Sequence, residues 1–187
     1  MIGKKAQPVL VTRRLKLRAL KLEDLTQTCD LLADPEIAAM SMSVPQTNEP
    51  KLVKEWLVGH IEAWRRGQMA VYAITLRDGG QMIGVIWLGI LKPTGPGRLS
   101  YWMGKEFRKQ GYCTEAGRAI VRFGLEQLNL PRITALCFSR NVPSARVLER
   151  IGMVHVAHMP KGADYRGQSE DLDRYDIKAD QLHLLEE

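Results

Sequence analysis

Residues 101–116 read YWMGKEFRKQGYCTEA, and they join a strand-like run to a helix-like run through a turn that contains Gly111. The turn is not a Walker loop, because its nearest match has leucine at the first glycine position and glutamate after the lysine. It is not a Rossmann fingerprint, because that pattern needs three spaced glycines. The stretch therefore predicts a turn at the carboxyl end of a strand, and its neighbours must indicate what it binds.

The segments on both sides of this turn predict a strand, a helix and a second strand. RLSYWM at 98–103 and RITALCF at 132–138 have the composition of strands. Apolar residues between them occupy positions i, i+3, i+4 and i+7 of one helix face: Ala116, Ala119, Ile120 and Phe123. This spacing predicts a helix over 114–129. Such a crossover is right-handed and brings its two strands parallel.

The N-terminal patterns predict one strand followed by helices. RRLKLRAL at 13–20 alternates basic with apolar residues, as a half-buried strand does. Helical spacing follows Leu22, and Asp34 is an N-cap for a short helical turn that begins with Pro35. A long helix is predicted from near Pro50 to Arg66, where Gly67 ends it.

The other patterns predict antiparallel strands. DGG at 78–80 predicts a tight hairpin between the apolar runs beside it. MVHVAHM at 153–159 and DRYDIKA at 173–179 predict two closing strands separated by a polar loop, with His155 and His158 on opposite faces. A helix begins near Pro143 and ends at Gly152. The order β, α, α, β, β, β, α, β, α, β, β predicts a mixed, mainly antiparallel α/β sheet flanked by helices.

Composition limits the class of protein. The 187 residues suit a single domain, 1–187, and no apolar run is long enough for a membrane helix. The start of the chain does not resemble a secretory signal, so we expect a cytoplasmic protein with no membrane partner. The three cysteines, Cys29, Cys113 and Cys137, lack metal-ligand or CxxC spacing, so we expect reduced thiols and no metal site. The net charge of +6 favours an anionic partner.

The turn itself suits a pyrophosphate. Backbone N–H groups that open a helix form a concave set of donors, with the positive end of the helix dipole behind them. Gly111 lets the backbone approach an oxygen atom closely, and a small side chain at Cys113 avoids crowding. Arg108 and Lys109 add positive charge at the rim. An ordinary solvated turn is the alternative interpretation.

Three segments together resemble the signature segments of the GNAT superfamily of N-acetyltransferases. They are RRLKLRALKLED near the start, YWMGKEFRKQGYCTEA in the middle and NVPSARVLERIGM later. Within the superfamily they are most similar to the ribosomal-protein N-terminal acetyltransferase (Rim) group, and the resemblance extends from Thr12 to Ile177. It implies a GNAT-type sheet in which the parallel strand pair is splayed at the acetyl-CoA site.

The resemblance also implies residues that bind acetyl-CoA. The turn would hold the pyrophosphate through Arg108, Lys109, Gln110, Gly111, Tyr112, Cys113 and Thr114. The main chain of Trp102 and Met103 would pair with the pantetheine arm, and Asn141 would reach the same arm. Splaying leaves strand N–H and C=O groups that an amide-bearing ligand can satisfy. Cys113 departs from the usual Gly or Ala of the family.

Acetyl transfer needs a neutral amine and a proton for the departing thiolate. The resemblance places Ser144 near the cofactor sulfur as the acid, and a helix-capping hydroxyl is the alternative role for this residue. Glu115 is a candidate base at the start of the helix, with interaction with the helix N-terminus as its alternative. Asp173 is a second candidate base, or an exposed strand residue. An α-amino group needs little help to lose its proton, so a strong base is dispensable.

The leading hypothesis is direct transfer of acetyl from acetyl-CoA to a protein N-terminal amine, with a ribosomal protein as the acceptor. Residues 35–50 and 160–172 are expected to choose the acceptor. A small amine, an amino acid or an aminoglycoside is the alternative acceptor, and a non-catalytic acyl-CoA-binding regulator is a further alternative. Absence of RNA-binding motifs argues against an RNA module, so RNA contact would come only through a ribosomal substrate and DNA is not expected. Monomer and homodimer both remain open.

Overall fold

The computed structural model describes residues 6–90 and 95–185, and their strands form a single sheet. The strands are β1 (Leu10–Val11), β2 (Leu15–Ala19), β3 (Met69–Leu76), β4 (Met82–Ile90), β5 (Gly97–Met103), β6 (Arg132–Phe138), β7 (Val154–Tyr165) and β8 (Gln168–Lys178). Their spatial order is β1-β2-β3-β4-β5-β6-β8-β7. Every neighbouring pair is antiparallel except β5 and β6, which are parallel. The predicted mixed, mainly antiparallel sheet is confirmed.

Helices cover both faces of this sheet. They are α1 (Leu25–Leu32), α2 (Pro35–Ala39), α3 (Pro50–Arg65), α4 (Tyr112–Arg122) and α5 (Val142–Ile151). Apolar residues of α1, α2 and α3 pack on one face, and those of α4 and α5 pack on the other. Among the helices of the described residues, none has the length and apolar character needed to cross a membrane.

The N-terminal half follows its sequence patterns with small differences. The strand predicted at 13–20 is β2, and the two-residue β1 precedes it. Asp34 accepts a hydrogen bond from the Glu36 N–H at 3.1 Å and so caps α2, as predicted. The DGG turn joins β3 to β4, and both of its glycines have positive φ. The predicted hairpin is therefore confirmed.

The predicted parallel pairing of the strands on either side of the turn is also confirmed. β5 leads through the turn into α4, and β6 returns parallel to β5. The predicted helix over 114–129 begins two residues earlier, at Tyr112, and ends as a π-helical turn over Phe123–Gln127. α5 ends at Gly152, whose φ of 106° is left-handed and favours glycine at a helix end.

The C-terminal hairpin differs from the prediction. The segment predicted as a polar loop is mostly strand, because β7 continues to Tyr165 and β8 begins at Gln168. Arg166 and Gly167 have φ of 55° and 73°, which is typical of a tight two-residue hairpin turn. Most side chains of this part of β7 are exposed to solvent, so its residues are polar and lack the alternating pattern that predicts a strand.

The two histidines of β7 also lie differently from the prediction. His155 and His158 were expected on opposite faces, yet both contact the same carboxylate oxygen of Asp173. The ladder between β7 and β8 shifts register between His155 and Ala157. A bulge inserts one residue and reverses the alternation of faces beyond it. The prediction was wrong because it assumed an unbroken strand.

β5 and β6 separate at their carboxyl ends. Their pairing covers only Gly97–Leu99 and Ile133–Ala135, although β5 continues to Met103 and β6 to Phe138. We call the space between residues 100–103 and 136–138 the gap. The opposite edge of β5 stays paired with β4 as far as Met103. The gap is therefore the splayed pair that the resemblance implied, and it opens beside the turn at residues 108–114.

Candidate functional site

Two helices begin beside the gap, α4 after β5 and α5 after β6. Gly111 is the N-cap of α4, with φ of 80°, and it has no side chain that could accept from the helix N–H groups. Lys109 also has a left-handed φ, of 62°. Left-handed residues of this kind turn successive N–H groups toward one concave side, which suits an anion. The start of α4 therefore offers donors together with the positive end of the helix dipole.

An arginine from the N-terminal strand region holds this turn from one side. The Arg14 guanidinium donates to the Gln110 carbonyl oxygen at 2.9 Å and to the Glu115 carboxylate at 2.7 Å. It also lies over the Tyr112 ring, 4.4 Å from the centroid. A Cβ at Gly111 would come within 3.3 Å of the Arg14 guanidinium. Arg14 thus packs on the turn that precedes α4.

Glu115, the candidate base, is occupied by the same strand region. Its carboxylate accepts from the Thr12 hydroxyl at 2.6 Å and from the Arg14 N–H at 2.8 Å, in addition to the Arg14 side chain. Burial by itself would raise the pKa of Glu115, but these hydrogen bonds outweigh it and leave that pKa lowered. A carboxylate in this state is a weak base, so its geometry favours a role in holding α4 to the strand.

Arg108 lies on the other side of the turn, and its side chain faces acidic groups. Its Nε donates to the Met103 carbonyl oxygen at 3.1 Å, and its two terminal nitrogens pair with Asp34, at 2.6 Å, and with Glu36. Only 27% of the side chain is exposed. The guanidinium was expected at the rim of the pyrophosphate site; the structure pairs it with two carboxylates instead.

The remaining predicted residues of the turn differ in exposure. Lys109 and Gln110 are exposed, and the Gln110 side chain donates to the Glu106 carbonyl oxygen at 2.8 Å. Thr114 is half-buried. Cys113 packs against the core under α4 and α5, and burial raises its pKa to about 12. Its sulfur is therefore a thiol at neutral pH.

The main chain of β5 distinguishes Met103 from Trp102. The Gly104 N–H donates to the Ile83 carbonyl oxygen of β4 at 2.9 Å. A Cβ at Gly84 of β4 would clash with the Trp102 carbonyl oxygen. Because main-chain direction alternates along a strand, the backbone groups of residues 102 and 104 face β4, and those of Met103 face the gap.

Side chains of β5 alternate in the opposite sense across the sheet. Tyr101 and Met103 lie on the α4 and α5 face. Trp102 is buried on the α1 to α3 face, where its indole Nε1 has no hydrogen-bond partner among the described residues. Trp102 therefore lies in the core under α1 to α3, while Tyr101 faces the start of α5.

Ser144, the candidate acid, contacts Tyr101. The two hydroxyl oxygens lie 2.9 Å apart, and the Tyr101 hydroxyl also lies 3.1 Å from the Ser144 carbonyl oxygen. Burial raises the pKa of Tyr101 well above its usual range, so this phenol stays protonated. Tyr101 escaped the sequence prediction, although it directly precedes Trp102 and alternates with it across the sheet.

Asn141 caps α5, so Ser144 is not the helix-capping residue. The Asn141 side-chain oxygen accepts from the Ser144 N–H at 3.2 Å. Asn141 is the capping residue, so the Ser144 hydroxyl is left for the contact with Tyr101. The capping role that competed with catalysis at Ser144 belongs to its neighbour three residues earlier.

Asp173, the second candidate base, sits between two imidazoles. Its Oδ1 lies 3.2 Å from His155 Nε2 and 2.9 Å from His158 Nδ1. Burial alone would raise the pKa of Asp173, but hydrogen bonds from His158, Ser139 and His155 outweigh it and leave that pKa lowered. Within the described residues, no group of three or more His, Cys, Asp or Glu side chains is placed to hold a metal ion.

The two segments expected to choose the acceptor meet beside the gap. The Tyr165 hydroxyl oxygen lies within hydrogen-bond distance of the Ala38 carbonyl oxygen and, at 2.8 Å, of the Gln46 side-chain oxygen. Arg140, which follows β6, donates to the Ala39 carbonyl oxygen at 3.2 Å and pairs with Glu170 at 2.8 Å. The β7–β8 hairpin therefore contacts the end of α2 and the residues after it.

Comparison with known proteins identifies the family. The acetyltransferase (GNAT) domain family matches residues 14–154, which is more than half of the chain. An N-acetyltransferase named p20 from Bacillus licheniformis, itself uncharacterized, is 26% identical over 143 residues, covering 76% of this chain and 80% of that protein. The turn, the gap and both helix starts lie within the matched range.

Solved structures show the same fold. An acetyl transferase from Salmonella typhimurium, described as modifying the N-terminal serine of ribosomal protein L7/L12, superposes with a TM-score of 0.82 at 18% identity, covering 91% of this chain and 99% of that one. RimL, a ribosomal L7/L12 alpha-N-protein acetyltransferase in complex with coenzyme A, gives a TM-score of 0.83 at 18% identity, covering 91% and 98%. The chain belongs to the GNAT family and is an acetyl-CoA-dependent N-acetyltransferase.

Proposed function

We propose that this protein transfers acetyl from acetyl-CoA to the α-amino group of a protein N-terminus, with a ribosomal protein as acceptor, by direct attack in a ternary complex. The observation that carries the proposal is the pairing of two features at one end of the sheet. The start of α4 is free of a side-chain cap, and the gap between β5 and β6 opens beside it.

These features fit the chemical groups of acetyl-CoA. The N–H groups of residues 111–114 are suited to the pyrophosphate oxygens, with Lys109 adding charge and Arg108 contributing its backbone. The Met103 main chain, which faces the gap, is suited to the pantetheine amides, and Asn141 lies at the other side of the gap. The main-chain groups of Trp102 face β4 and its indole is buried in the core under α1 to α3, which weighs against Trp102 as a pantetheine ligand.

A hydroxyl pair supports proton donation. When bound, acetyl-CoA supplies the thioester carbonyl that an amine attacks, and its departing thiolate needs a proton. Ser144 is proposed as the donor through its Oγ. Because Tyr101 stays protonated, it can donate to Ser144 Oγ and leave the serine proton for the thiolate.

No strong base is needed for an N-terminal amine. Its pKa is about 7.7–8.0, against about 10.4 for lysine, so a sizeable neutral fraction exists near neutral pH. Glu115 has a lowered pKa and three hydrogen bonds, which weigh against proton abstraction by its carboxylate. The base role of Glu115 stays a prediction that its glutamine variant tests.

The cysteines support direct attack rather than an acyl-cysteine route. Burial raises the pKa of Cys113 to about 12 and that of Cys137 to about 11, so both are thiols at neutral pH. The nucleophile in such routes is the thiolate. A ternary complex of acetyl-CoA and amine is therefore the better-supported mechanism.

Three carboxylates beside α2 and in the β7–β8 hairpin are already paired with arginine, which leaves fewer negative groups for a polycationic acceptor. Asp34 and Glu36 are paired with Arg108, and Glu170 is paired with Arg140. An aminoglycoside or polyamine carries several positive charges and needs free carboxylates, whereas an N-terminal amine that reacts as the neutral species needs none. Relatives of the same fold that act on ribosomal-protein N-termini support this choice.

The test is release of free CoA thiol from acetyl-CoA in the presence of peptides that begin with Ala, Ser or Met, and of small amines. Selective turnover of one N-terminal peptide supports the proposal, and its Nα-acetyl product is checked by mass spectrometry. Turnover with small amines alone contradicts the peptide acceptor but keeps the chemistry. Tight acetyl-CoA binding without turnover would instead indicate a regulator.

A further inference from the structure

The helix α2 is held at both ends by residues from opposite sides of the gap. At its start, Arg108, which follows β5, pairs with Asp34 and Glu36. At its end, Arg140, which follows β6, donates to the Ala39 carbonyl oxygen. A second bond to this end comes from Tyr165 of β7. α2 therefore links the elements on both sides of the gap.

Arg108 is the member of this arrangement that also belongs to the cofactor turn. Its Nε donates to the carbonyl oxygen of Met103, the β5 residue whose main chain faces the gap. Its Nη2 lies 2.6 Å from Asp34 Oδ2, while Asp34 Oδ1 accepts the hydrogen bond that caps α2 at 3.1 Å. One planar guanidinium thus joins the end of β5 to the first turn of α2, a geometry that arginine can make and lysine cannot.

The charges disfavour the Arg108 side chain as a phosphate ligand. Two carboxylates face one guanidinium, so its charge is already compensated. Moving the side chain to a phosphate would leave Asp34, whose side chain is 15% exposed, without its cation. The contacts therefore keep Arg108 turned toward α2.

We infer that Arg108 is a positioning residue that couples acetyl-CoA at the turn to the acceptor-side segment beginning with α2. This inference rests on the proposed function, because it assumes that the acceptor binds beside α2. Coupling between two ligands is reciprocal, so a turn ordered by acetyl-CoA fixes α2, and α2 fixed for the acceptor favours the turn. This coupling would affect the binding of any amine that the enzyme accepts beside α2.

The experiment compares Arg108→Gln with Lys109→Gln, which removes the same charge from the adjacent, exposed position of the turn. Loss of charged hydrogen bonds at Arg108 should raise the acceptor KM about tenfold, with the acetyl-CoA Kd changed less than about threefold. Lys109→Gln should show the opposite split. Acetyl-CoA affinity is measured by calorimetry, so it is read without turnover.

Asp34→Asn completes the test, because asparagine keeps the cap of α2 and loses the ion pair. Arg108→Gln and Asp34→Asn should each raise the acceptor KM, and the double variant should raise it no further. A large rise in the acetyl-CoA Kd of Arg108→Gln, with KM unchanged, would overturn the inference. So would a fall in thermal stability with both constants unchanged.

These readouts separate the inference from the proposed function. If the enzyme acetylates a small amine and no peptide, the proposed acceptor is wrong, but the same KM comparison is made with that amine. If a peptide is acetylated and Arg108→Gln leaves its KM unchanged, the inference alone fails.

Discussion

The starts of α4 and α5 lie at the same end of the sheet, after neighbouring parallel strands, yet they differ in chemistry. Gly111 begins α4 without a side chain, whereas the Asn141 side chain accepts from the Ser144 N–H of α5. The first helix therefore has donors left for an anion, and the second has its donors partly satisfied. If acetyl-CoA binds as proposed, the capping residues, rather than the position at the sheet edge, decide which helix start holds the pyrophosphate.

The side chains around the two helix starts follow the same division. Arg14 and Glu115 hold the α4 turn by ion pairing and hydrogen bonds. At α5 the hydroxyls of Tyr101 and Ser144 meet within 2.9 Å. The α4 end is thus suited to holding charge, and the α5 end to moving a proton.

Gly111→Asp is expected to have the largest effect on acetyl-CoA affinity, because it gives the start of α4 a capping side chain with a negative charge. Asp tolerates the left-handed φ of 80° better than most residues, so the fold should persist. Its carboxylate would compete for the helix donors and for the Arg14 guanidinium, which lies 3.3 Å from a Cβ at this position, and it would repel a pyrophosphate. Acetyl-CoA affinity should fall at least about 100-fold, as measured by calorimetry.

The control is Gly111→Asn, which has nearly the same shape without the charge. It should weaken acetyl-CoA less than the aspartate does. Equal acetyl-CoA affinity in Gly111→Asp and the unchanged protein would show that the anion does not bind at α4.

Ser144→Ala is next in size. Loss of a general acid lowers kcat about 100-fold or more, while acetyl-CoA Kd and thermal stability should stay near their original values because Asn141, not Ser144, caps α5. Steady-state turnover and calorimetry measure the two effects. Loss of stability in proportion to activity would contradict the acid role. Tyr101→Phe, which removes only the partner hydroxyl, should lower kcat by a smaller factor.

Asn141→Ala should affect stability more than chemistry. Removing an N-cap costs about 1 kcal/mol, and thermal unfolding measures this loss. Asn141→Asp keeps an acceptor for the Ser144 N–H and should restore the stability. If alanine and aspartate at this position were equally stable, the hydrogen bond of 3.2 Å would not be the cap that separates the two helices.

Glu115→Gln gives the smallest effect on catalysis. The folded-state pKa of Glu115 is lowered, so the stability it contributes is complete above its unfolded pKa of about 4.3 and is lost as pH falls through the lower folded value. The variant should therefore have a lower free energy of unfolding near neutral pH. This free energy, measured by urea unfolding, should also fall less steeply than that of the unchanged protein as the pH is lowered. The variant's pH profile of turnover should keep the limb set by the acceptor amine. If the variant's turnover no longer depended on pH in this way, Glu115 would be the base.

Local patterns predicted most of the fold. β6 begins and ends where its β-branched and apolar run does, and α5 ends at the glycine that its pattern indicated. The two closing strands were predicted, but the outer part of the β7–β8 hairpin was predicted as a loop because it has polar residues and two glycines, while β7 lies at the sheet edge. Edge strands do not need the alternating pattern that reveals a buried one.

Candidate site residues could be named from the sequence only where they are close together in the chain. The turn, Asn141 and Ser144 fall inside short segments with recognisable spacing. Arg108 pairs with Asp34 across 74 positions, and Glu115 pairs with Arg14 across 101. Nothing in one sequence marks such partners, because the long-range packing of α2 and β2 against the turn brings them together.

The most direct test of the central claim is NMR of backbone amides during titration with CoA and, separately, with pantetheine, which lacks the pyrophosphate. We expect CoA to shift the amide protons of residues 111–114 strongly and pantetheine to leave them nearly unchanged. Smaller shifts are expected for residues 142–145 with either ligand. Strong CoA-specific shifts at 142–145, with none at 111–114, would place the pyrophosphate at α5 and contradict the account.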